Sequence, residues 1–304
     1  LKPYAAICGI TQEEMLEQMH EYIERLAVAQ EMTEEETLRK LKEKYDGYHF
    51  TWPSPDIYNP FSLLNALERK KIDNYWFGSG TPTYLVEMLR KFHVLPSEVG
   101  HSMQAMASDF DAPTEKMESI VPLLYQSGYL TIKGYDEEFG MYRLGFPNRE
   151  VEEGVVRFLL PFYANVNKVE SPFEIQKFVR EVRSGDYDSF FRRLQSFFAD
   201  TTYEVIREQE LHYENVLFIV FKLVGFYTQV EYHTSKGRID LVLQTDKFIY
   251  VIEFKLDGTA EEALQQIHDK HYALPFASDG RKLFKIGVNF SAETRNIEKW
   301  IVEE

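Results

Sequence analysis

Apolar residues near the start of the chain recur at helical spacing. In residues 11–29 they lie on one side of a helix, at Met15, Met19, Ile23, Leu26 and Ala27. Thr11 stands before two glutamates, which is typical of a helix start. Thr33 and Glu36 match a capping box and open a second predicted helix, which ends near residue 45. Both helices are amphipathic and need a core to pack against.

Turn-forming residues then separate further helices from a hairpin. Predicted helices occupy residues 61–67, 83–92, 116–126, 174–183 and 187–198. Between the third and the fourth, residues 129–132 and 141–144 alternate as two strands around a turn. A helix followed by a hairpin resembles a winged-helix module, although a hairpin that only packs between domains is the commoner arrangement.

Beyond residue 200, strand-like segments are combined with helical ones. The predicted order is helix, three strands, helix and strand, over residues 208–223, 229–233, 239–244, 248–254, 260–272 and 282–289. This order predicts an α/β domain. We therefore expect an α/β protein (α+β overall) with a helical, lid-like region at 1–110, a helical connector with the hairpin at 111–200, and a domain with a mixed central sheet at 201–304.

The composition limits the class of protein. With 44% hydrophobic residues, 304 residues can fill more than one core. Cys8 is the single cysteine, which excludes an internal disulfide and a cysteine zinc site. No segment approaches the roughly 20 consecutive apolar residues of a membrane span, and the first residues do not match a signal peptide. We expect a cytoplasmic protein with no membrane partner.

The net charge of −15 opposes tight unaided binding to DNA, because lysine and arginine supply most non-specific affinity for phosphates. A local basic groove or bound divalent cations can override the average field at one site. The charge therefore does not exclude a nuclease.

Two successive predicted strands each contain an acidic residue among apolar ones. These residues are Asp240 and Glu253, and Lys255 follows two positions later. A buried carboxylate costs free energy unless it is paired or bound to a cation. Side chains alternate along a strand, so Glu253 and Lys255 share one face. A turn at 245–247 would pair the strands as a hairpin and bring Asp240 beside Glu253.

A pair of carboxylates at one place suits Mg²⁺ or Mn²⁺, with water and a substrate phosphate in the remaining positions. A lysine ammonium beside it can position water and stabilise negative charge in the transition state, so the set predicts phosphodiester hydrolysis. The alternative is an ordinary ion pair between Glu253 and Lys255, with Asp240 solvated at a strand end. Two acidic interruptions in neighbouring strands favour the catalytic interpretation.

The segments around this set resemble a known family. Three of them resemble the PD-(D/E)XK nuclease superfamily: Gly-Arg-Ile-Asp at 237–240, Glu-Phe-Lys at 253–255 and Ala-Leu-Gln-Gln-Ile at 263–267, followed by Tyr272. Three aromatic, turn-rich segments resemble the closing part of the AAA-ATPase-like domain in the bacterial branch of that superfamily: residues 45–50, 58–62 and 75–82. The resemblance spans nearly the whole chain and implies a restriction-endonuclease-like fold at its C-terminal end.

The resemblance implies roles for the carboxylate pair and its neighbours. Asp240 and Glu253 would ligate Mg²⁺ or Mn²⁺, with assistance from the Phe254 carbonyl, and Lys255 would be catalytic. The substrate would be a nucleic acid, with DNA as the expected one.

Two further catalytic residues are implied on helices. Gln266 is preferred over Gln265 because the family pattern pairs the glutamine with the isoleucine that follows it. The first helix of the domain supplies an acidic residue, for which Glu210 is preferred and Glu208 and Glu214 are the alternatives.

The sequence lacks the Gly-x-x-x-x-Gly-Lys-Ser/Thr loop that surrounds nucleotide phosphates, so ATP is not expected to bind this chain. We expect the nucleotide-binding segment to lie upstream of Leu1. Three interpretations follow: a DNA-cleaving enzyme, a nuclease fold retained as a binding or assembly module, and an interaction protein switched by an upstream ATPase segment.

Overall fold

The computed structural model describes residues 5–79, 83–101, 103–111, 119–164, 166–167, 170–199, 209–235 and 238–304, without the side chains of 78–79, 209–212, 232, 234–235 and 238–239. The chain divides into two compact units, Leu1–Val155 and Val156–Glu304. The α/β class and the mixed sheet expected from the sequence are confirmed. No helix in the described ranges is both long and apolar enough to cross a membrane.

The first unit is mostly helical. Its helices are α1 (Gln12–Ala29), α2 (Glu34–Tyr45), α3 (Pro60–Arg69), α4 (Thr83–Lys91) and α5 (Val121–Gln126). Its strands are β1 (Gln104–Ala105), β2 (Thr131–Asp136) and β3 (Met141–Gly145), in the spatial order β1–β3–β2. Thr11 and Glu14 form a complete capping box at the start of α1. The apolar sides of α1, α2 and α3 pack together as the patterns predict, around Met15, Ile23, Leu26, Leu41 and Leu63.

One helix is not predicted by the sequence. The helix α6 (Arg149–Tyr163) contains both Gly154 and Pro161, two residues that ordinarily interrupt a helix. A Cβ atom on Gly154 would lie 2.0 Å from the ring of Phe77, so glycine is needed for that close approach. Burial of Val155 and Leu159 favours the helix despite both interruptions.

The second unit is built on a five-stranded sheet. Its helices are α7 (Ser171–Ser184), α8 (Tyr187–Phe198), α9 (Gln209–Gly225) and α10 (Ala260–Asp269), and its strands are β4 (Gln229–Ser235), β5 (Arg238–Gln244), β6 (Phe248–Leu256), β7 (Lys282–Ser291) and β8 (Asn296–Glu303). The strand order is β4–β5–β6–β7–β8. Only β6 and β7 run parallel, and α10 makes the crossover that parallel strands require.

Aromatic side chains fill one face of this sheet. Phe254 of β6 lies 6.0 Å from Phe221 of α9 and 6.4 Å from Phe191 of α8, between ring centroids. The hydroxyl of Tyr250 donates to the carbonyl of Val182 in α7 over 2.7 Å.

In the division expected from the sequence, α7 and α8 belong to the connector, whereas the structure packs both in the second unit, where their side chains complete the core. The three-part division of the chain remains a prediction.

The other face is covered by α10. This helix begins at a capping box between Thr259 and Glu262. Its first turns lie directly on β7, because a Cβ atom at Gly287 would be 2.1 Å from the carbonyl oxygen of Ala260 and 2.5 Å from the amide nitrogen of Leu264. Both atoms belong to the backbone, so no side-chain rotation relieves the overlap. Glycine at this position therefore sets the distance between the helix and the sheet.

We expect Gly287→Ala to lower the free energy of unfolding by about 1–3 kcal/mol, because the extra methyl group must displace α10. Gly280→Ala is the matched control, since a Cβ atom there has no neighbour within 4 Å. Denaturant unfolding of both variants measures the difference. Equal stability of the two would contradict the close approach.

A buried carboxylate ends α2 in the first unit. Asp46 is 4% exposed and accepts a hydrogen bond from the amide of Gly47 over 2.8 Å. Burial raises the pKa of Asp46 from its ordinary value of 3.8 to about 6, and nearby Asp56 adds to the increase. The contribution of Asp46 to stability is thus fully present below pH 3.8 and is lost as the pH rises through 6.

Asp46→Asn keeps the oxygen acceptor but stays neutral. We expect this variant to gain stability relative to the wild type as the pH rises from 4 to 7.5, measured as the difference in melting temperature. Asp186→Asn should show no such gain over this range, because the amide of Ser189 lowers the pKa of Asp186 from its ordinary value of 3.8 and its pH dependence therefore lies in more acidic solution. A pH-independent difference for Asp46→Asn would contradict the prediction.

Candidate active site

The hairpin of β5 and β6 brings the two acidic residues together. The amide of Thr245 donates to the carbonyl of Phe248 over 2.8 Å and closes the predicted turn. From this turn the antiparallel register runs to Asp240 directly opposite Glu253, and to Arg238 opposite Lys255. Residues directly opposite on neighbouring strands have Cβ atoms roughly 4.5–5.5 Å apart, on the same face. The pairing predicted from the sequence is confirmed.

The side chains of Asp240, Glu253 and Lys255 differ sharply in burial. The side chain of Glu253 is fully buried, whereas those of Asp240 and Lys255 are partly exposed. Phe254 points to the opposite face, where it is 1% exposed in the aromatic core. Its side chain therefore anchors β6, and the assistance expected from the Phe254 carbonyl remains a prediction.

The start of α10 borders the site. Glu253 lies opposite Gly287 in the parallel ladder of β6 and β7, so the helix that rests on Gly287 lies beside the buried carboxylate. A Cβ atom on Gly258, just before α10, would lie 3.2 Å from both Cβ and Cδ of Lys255. The lysine stem thus runs along the loop that enters α10. Lys255 forms no ion pair with any residue in the described part of the chain.

The two glutamines of α10 differ in their surroundings. Gln265 is exposed, and its side-chain amide donates to Asp269 over 2.9 Å. Gln266 is half-buried and lies next to Ile267, which packs on the sheet. This placement agrees with the choice of Gln266, whose catalytic role remains a prediction.

The acidic residue on the first helix has no described side chain. Glu210 lies in α9, but its side chain is outside the described part, and Glu208 lies outside the described residues altogether. Glu214, one turn further along α9, is half-buried. The Gly237 position of the sequence motif is likewise outside the described residues.

The donor set fits a hard divalent cation. Asp240 and Glu253 offer carboxylate oxygens from directly opposite positions on one face of the sheet, and oxygen ligands are those that such cations prefer. Where side chains are described, the one group of three potential ligands with donor atoms within 4.8 Å of one another is elsewhere, at His20, Glu24 and Glu34 on the surface. The ring nitrogens of His20 face Glu24 of the same helix, α1, at 3.3 Å and Glu34 of α2 at 3.6 Å, an arrangement that surface side chains adopt without an ion.

One residue near the pair is missing from the set predicted by sequence. His233 of β4 lies directly opposite Asp240, so it occupies the same row and the same face of the sheet. The predicted strand ends at residue 233, and its hydrophobic pattern does not align it with the next strand. The sequence nevertheless contains a signal for this pairing. Only two residues separate Ser235 from its partner Arg238, and a two-residue connection is typical of a β-hairpin.

Comparison with known proteins agrees with this geometry. A family model described as "PD-(D/E)XK nuclease superfamily" matches residues 208–300, which include α9, α10 and β4 to β7. The chain is also similar to an "Uncharacterized protein in vnfD 5'region" of Azotobacter chroococcum mcd 1, with 30% identity over 275 residues. This alignment covers 85% of the chain but 51% of the relative, so the chain spans about half of that protein's length. No solved structure matches the chain significantly.

The matched residues contain the in-register carboxylates, the lysine two positions beyond and the crossover helix against them. Residues 208–300 therefore form a domain of the PD-(D/E)XK nuclease superfamily.

Proposed function

We propose that the second unit hydrolyses phosphodiester bonds of nucleic acid, with DNA as the substrate, using a divalent cation held by Asp240 and Glu253. The superfamily domain indicates a nuclease-type function. The observation that carries the proposal is the register that sets Asp240 opposite Glu253, with Lys255 two residues along the same face. Mg²⁺ and Mn²⁺ are the ions that suit two carboxylates and a phosphate oxygen.

The residues divide the chemistry between them. Glu253, which is buried, and Asp240, which is partly exposed, would hold the cation. When bound, the ion would polarise the phosphodiester and make water more acidic. The ammonium of Lys255 reaches the scissile phosphate, where it orients the attacking water and stabilises the charge that develops on the phosphate oxygens. We propose that Gln266 and an acidic residue of α9, Glu210, complete the set.

The substrate must approach a protein of charge −15. A cation at the carboxylate pair and the Lys255 ammonium supply positive charge at the site itself, so affinity for nucleic acid should depend on the metal. The affinity should also fall as the salt concentration rises, and it should fall more steeply the more phosphates the protein neutralises. We also propose that residues 1–110 are the closing part of an AAA-ATPase-like domain, on the basis of their aromatic motifs, and that residues 111–200 connect the two.

A second candidate function is a binding module that keeps the fold without cleavage. The complete burial of Glu253 favours it, because a ligand carboxylate must remain accessible to an ion. Cleavage of several DNA forms with Mg²⁺ or Mn²⁺ separates the two candidates. Retention of DNA without cleavage in the presence of either ion would support the binding module.

Lys255→Ala tests the catalytic assignment. We expect a loss of at least about 100-fold in turnover with little change in folding, because a partly exposed lysine contributes more to the transition state than to the core. Lys247→Ala is the matched control, an exposed lysine in the turn of the same hairpin. Wild-type turnover in Lys255→Ala would remove this residue from the mechanism.

Asp240→Asn tests the cation site by a physical measurement. Two carboxylates directly opposite repel, so a bound cation should raise the melting temperature of the wild type. The stabilisation is about 2.7 kcal/mol when the ion is at a hundred times its dissociation constant. We expect Asp240→Asn to be at least as stable without metal, and to lose both the metal-induced rise and the cleavage. Asp246→Asn, at the exposed turn, should retain both. If Asp240→Asn keeps the full rise, Asp240 is not a ligand.

A further inference from the structure

A polar cavity opens at the end of the sheet opposite the candidate active site. Its volume is about 370 Å³, and it is lined by residues of α7, of the connection between α9 and β4, of the β5–β6 turn and of the segment before β7. Small-molecule sites have volumes of roughly 300–1,000 Å³. Along β5, Gln244 at the cavity and Asp240 are separated by roughly 13 Å, at about 3.3 Å per residue. The cavity is therefore separate from the proposed cation site.

One of the two arginines that line the cavity is held by its neighbours. The guanidinium of Arg281 donates to both carboxylate oxygens of Asp279. It also donates to the carbonyl of Thr245 and to the side-chain oxygen of Gln244, each over 2.9 Å. Asp246, which also lines the cavity, adds a second negative charge near this guanidinium. The charge of Arg281 is thus offset locally, and its role is to fix the hairpin turn.

The other arginine keeps most of its donors. Arg183 is exposed, and its guanidinium donates to the carbonyl of Tyr227 over 2.7 Å, the one hydrogen bond that it forms with a described residue. A guanidinium has five N–H donors in a planar fork. This hydrogen bond holds the group at the cavity while its other donors stay available within the described part of the chain. Such a fork binds phosphate through two parallel hydrogen bonds.

The rest of the lining suits a planar ring with a polar edge. The side chain of Tyr227 is 41% exposed, and its hydroxyl accepts a hydrogen bond from Arg157. Gln229 and Gln244 lie directly opposite each other at the ends of β4 and β5, so both amides are on one face of the sheet. Among the described residues, the amide nitrogens of both glutamines have no partner. Aromatic rings stack on nucleobases, and glutamine amides form hydrogen bonds with the edges of bases.

We propose that this cavity binds a nucleoside monophosphate, with the phosphate at Arg183 and the base at Tyr227 and the two glutamines. A polar wall with an available guanidinium favours an anionic ligand, even in a chain of net charge −15. The inference goes beyond the proposed function, because it requires neither the cation nor cleavage. Two sources have this ligand chemistry, a free mononucleotide and the 5′-phosphorylated end of a nucleic-acid strand.

The test uses the full chain in the presence of EDTA, so that neither metal binding nor cleavage contributes. Deoxyadenosine 5′-monophosphate (dAMP), deoxyadenosine and inorganic phosphate are titrated by calorimetry, followed by a short single-stranded DNA with and without a 5′-phosphate. Arg183→Gln is compared with Arg180→Gln. The control is an exposed arginine of the same helix, one turn earlier and outside the cavity lining. The melting temperature shows whether each variant is folded.

We expect dAMP to bind at least about tenfold more tightly than deoxyadenosine or phosphate, because each of these lacks half of the contacts. Arg183→Gln should weaken dAMP binding by at least about tenfold, as expected for hydrogen bonds to a charged group, and Arg180→Gln should not. Tyr227→Leu should weaken dAMP binding to a similar extent and leave phosphate binding unchanged, because stacking is lost. ATP should not compete with dAMP, since the available donors of one guanidinium match one phosphate group.

The DNA strands identify the source of the ligand. Binding that requires the 5′-phosphate of the strand and Arg183 would support the cavity and assign it to a strand end. Binding of dAMP but of neither strand would support it and assign it to the free nucleotide. If neither dAMP nor the phosphorylated strand binds, or if Arg183→Gln binds dAMP as the wild type does, the inference is wrong. Because no metal is present, that failure leaves the proposed function untouched.

Discussion

The antiparallel register between β5 and β6 is the constraint on which the candidate site depends. Side chains alternate with a period of two, so a slip of one residue would send Asp240 to the aromatic face and leave Glu253 opposite an apolar residue. The turn at Thr245 excludes such a slip from one end of the hairpin. Burial of Phe254 on the opposite face excludes it throughout β6, because the shift would expose the core. Packing and chemistry therefore specify the same alignment.

The crossover helix α10 adds a second constraint, which limits the space above the sheet. The hairpin sets which residues are neighbours along the sheet, whereas α10 sets how far the site extends above it. Gly287 allows the helix backbone to touch the strand, so the space over the buried carboxylate ends at α10. The loop that enters α10 contains Gly258, and the stem of Lys255 packs against this glycine. Gly258 and Gly287 thus determine the shape of the candidate site, although neither has a side chain that could take part in its chemistry.

Periodicity predicted α7 to α10 and β4 to β7, and the hairpin turn was enough to pair Asp240 with Glu253. It did not predict α6, because Gly154 and Pro161 conceal a helix that tertiary burial stabilises. It did not predict β8 either, since that edge strand is mostly half-buried and lacks a strong apolar pattern. The position of His233 opposite Asp240 was missed for another reason: it follows from the β4–β5 register, which no local pattern of exposed residues reveals.

The position of β4 at the edge of the sheet has a kinetic consequence. This strand is hydrogen-bonded in the sheet on one side only, to β5, and strand edges open locally at lower free energy than central strands do. The amides of β4 should therefore exchange their hydrogens faster than those of β5 and β6, although all three strands belong to one sheet.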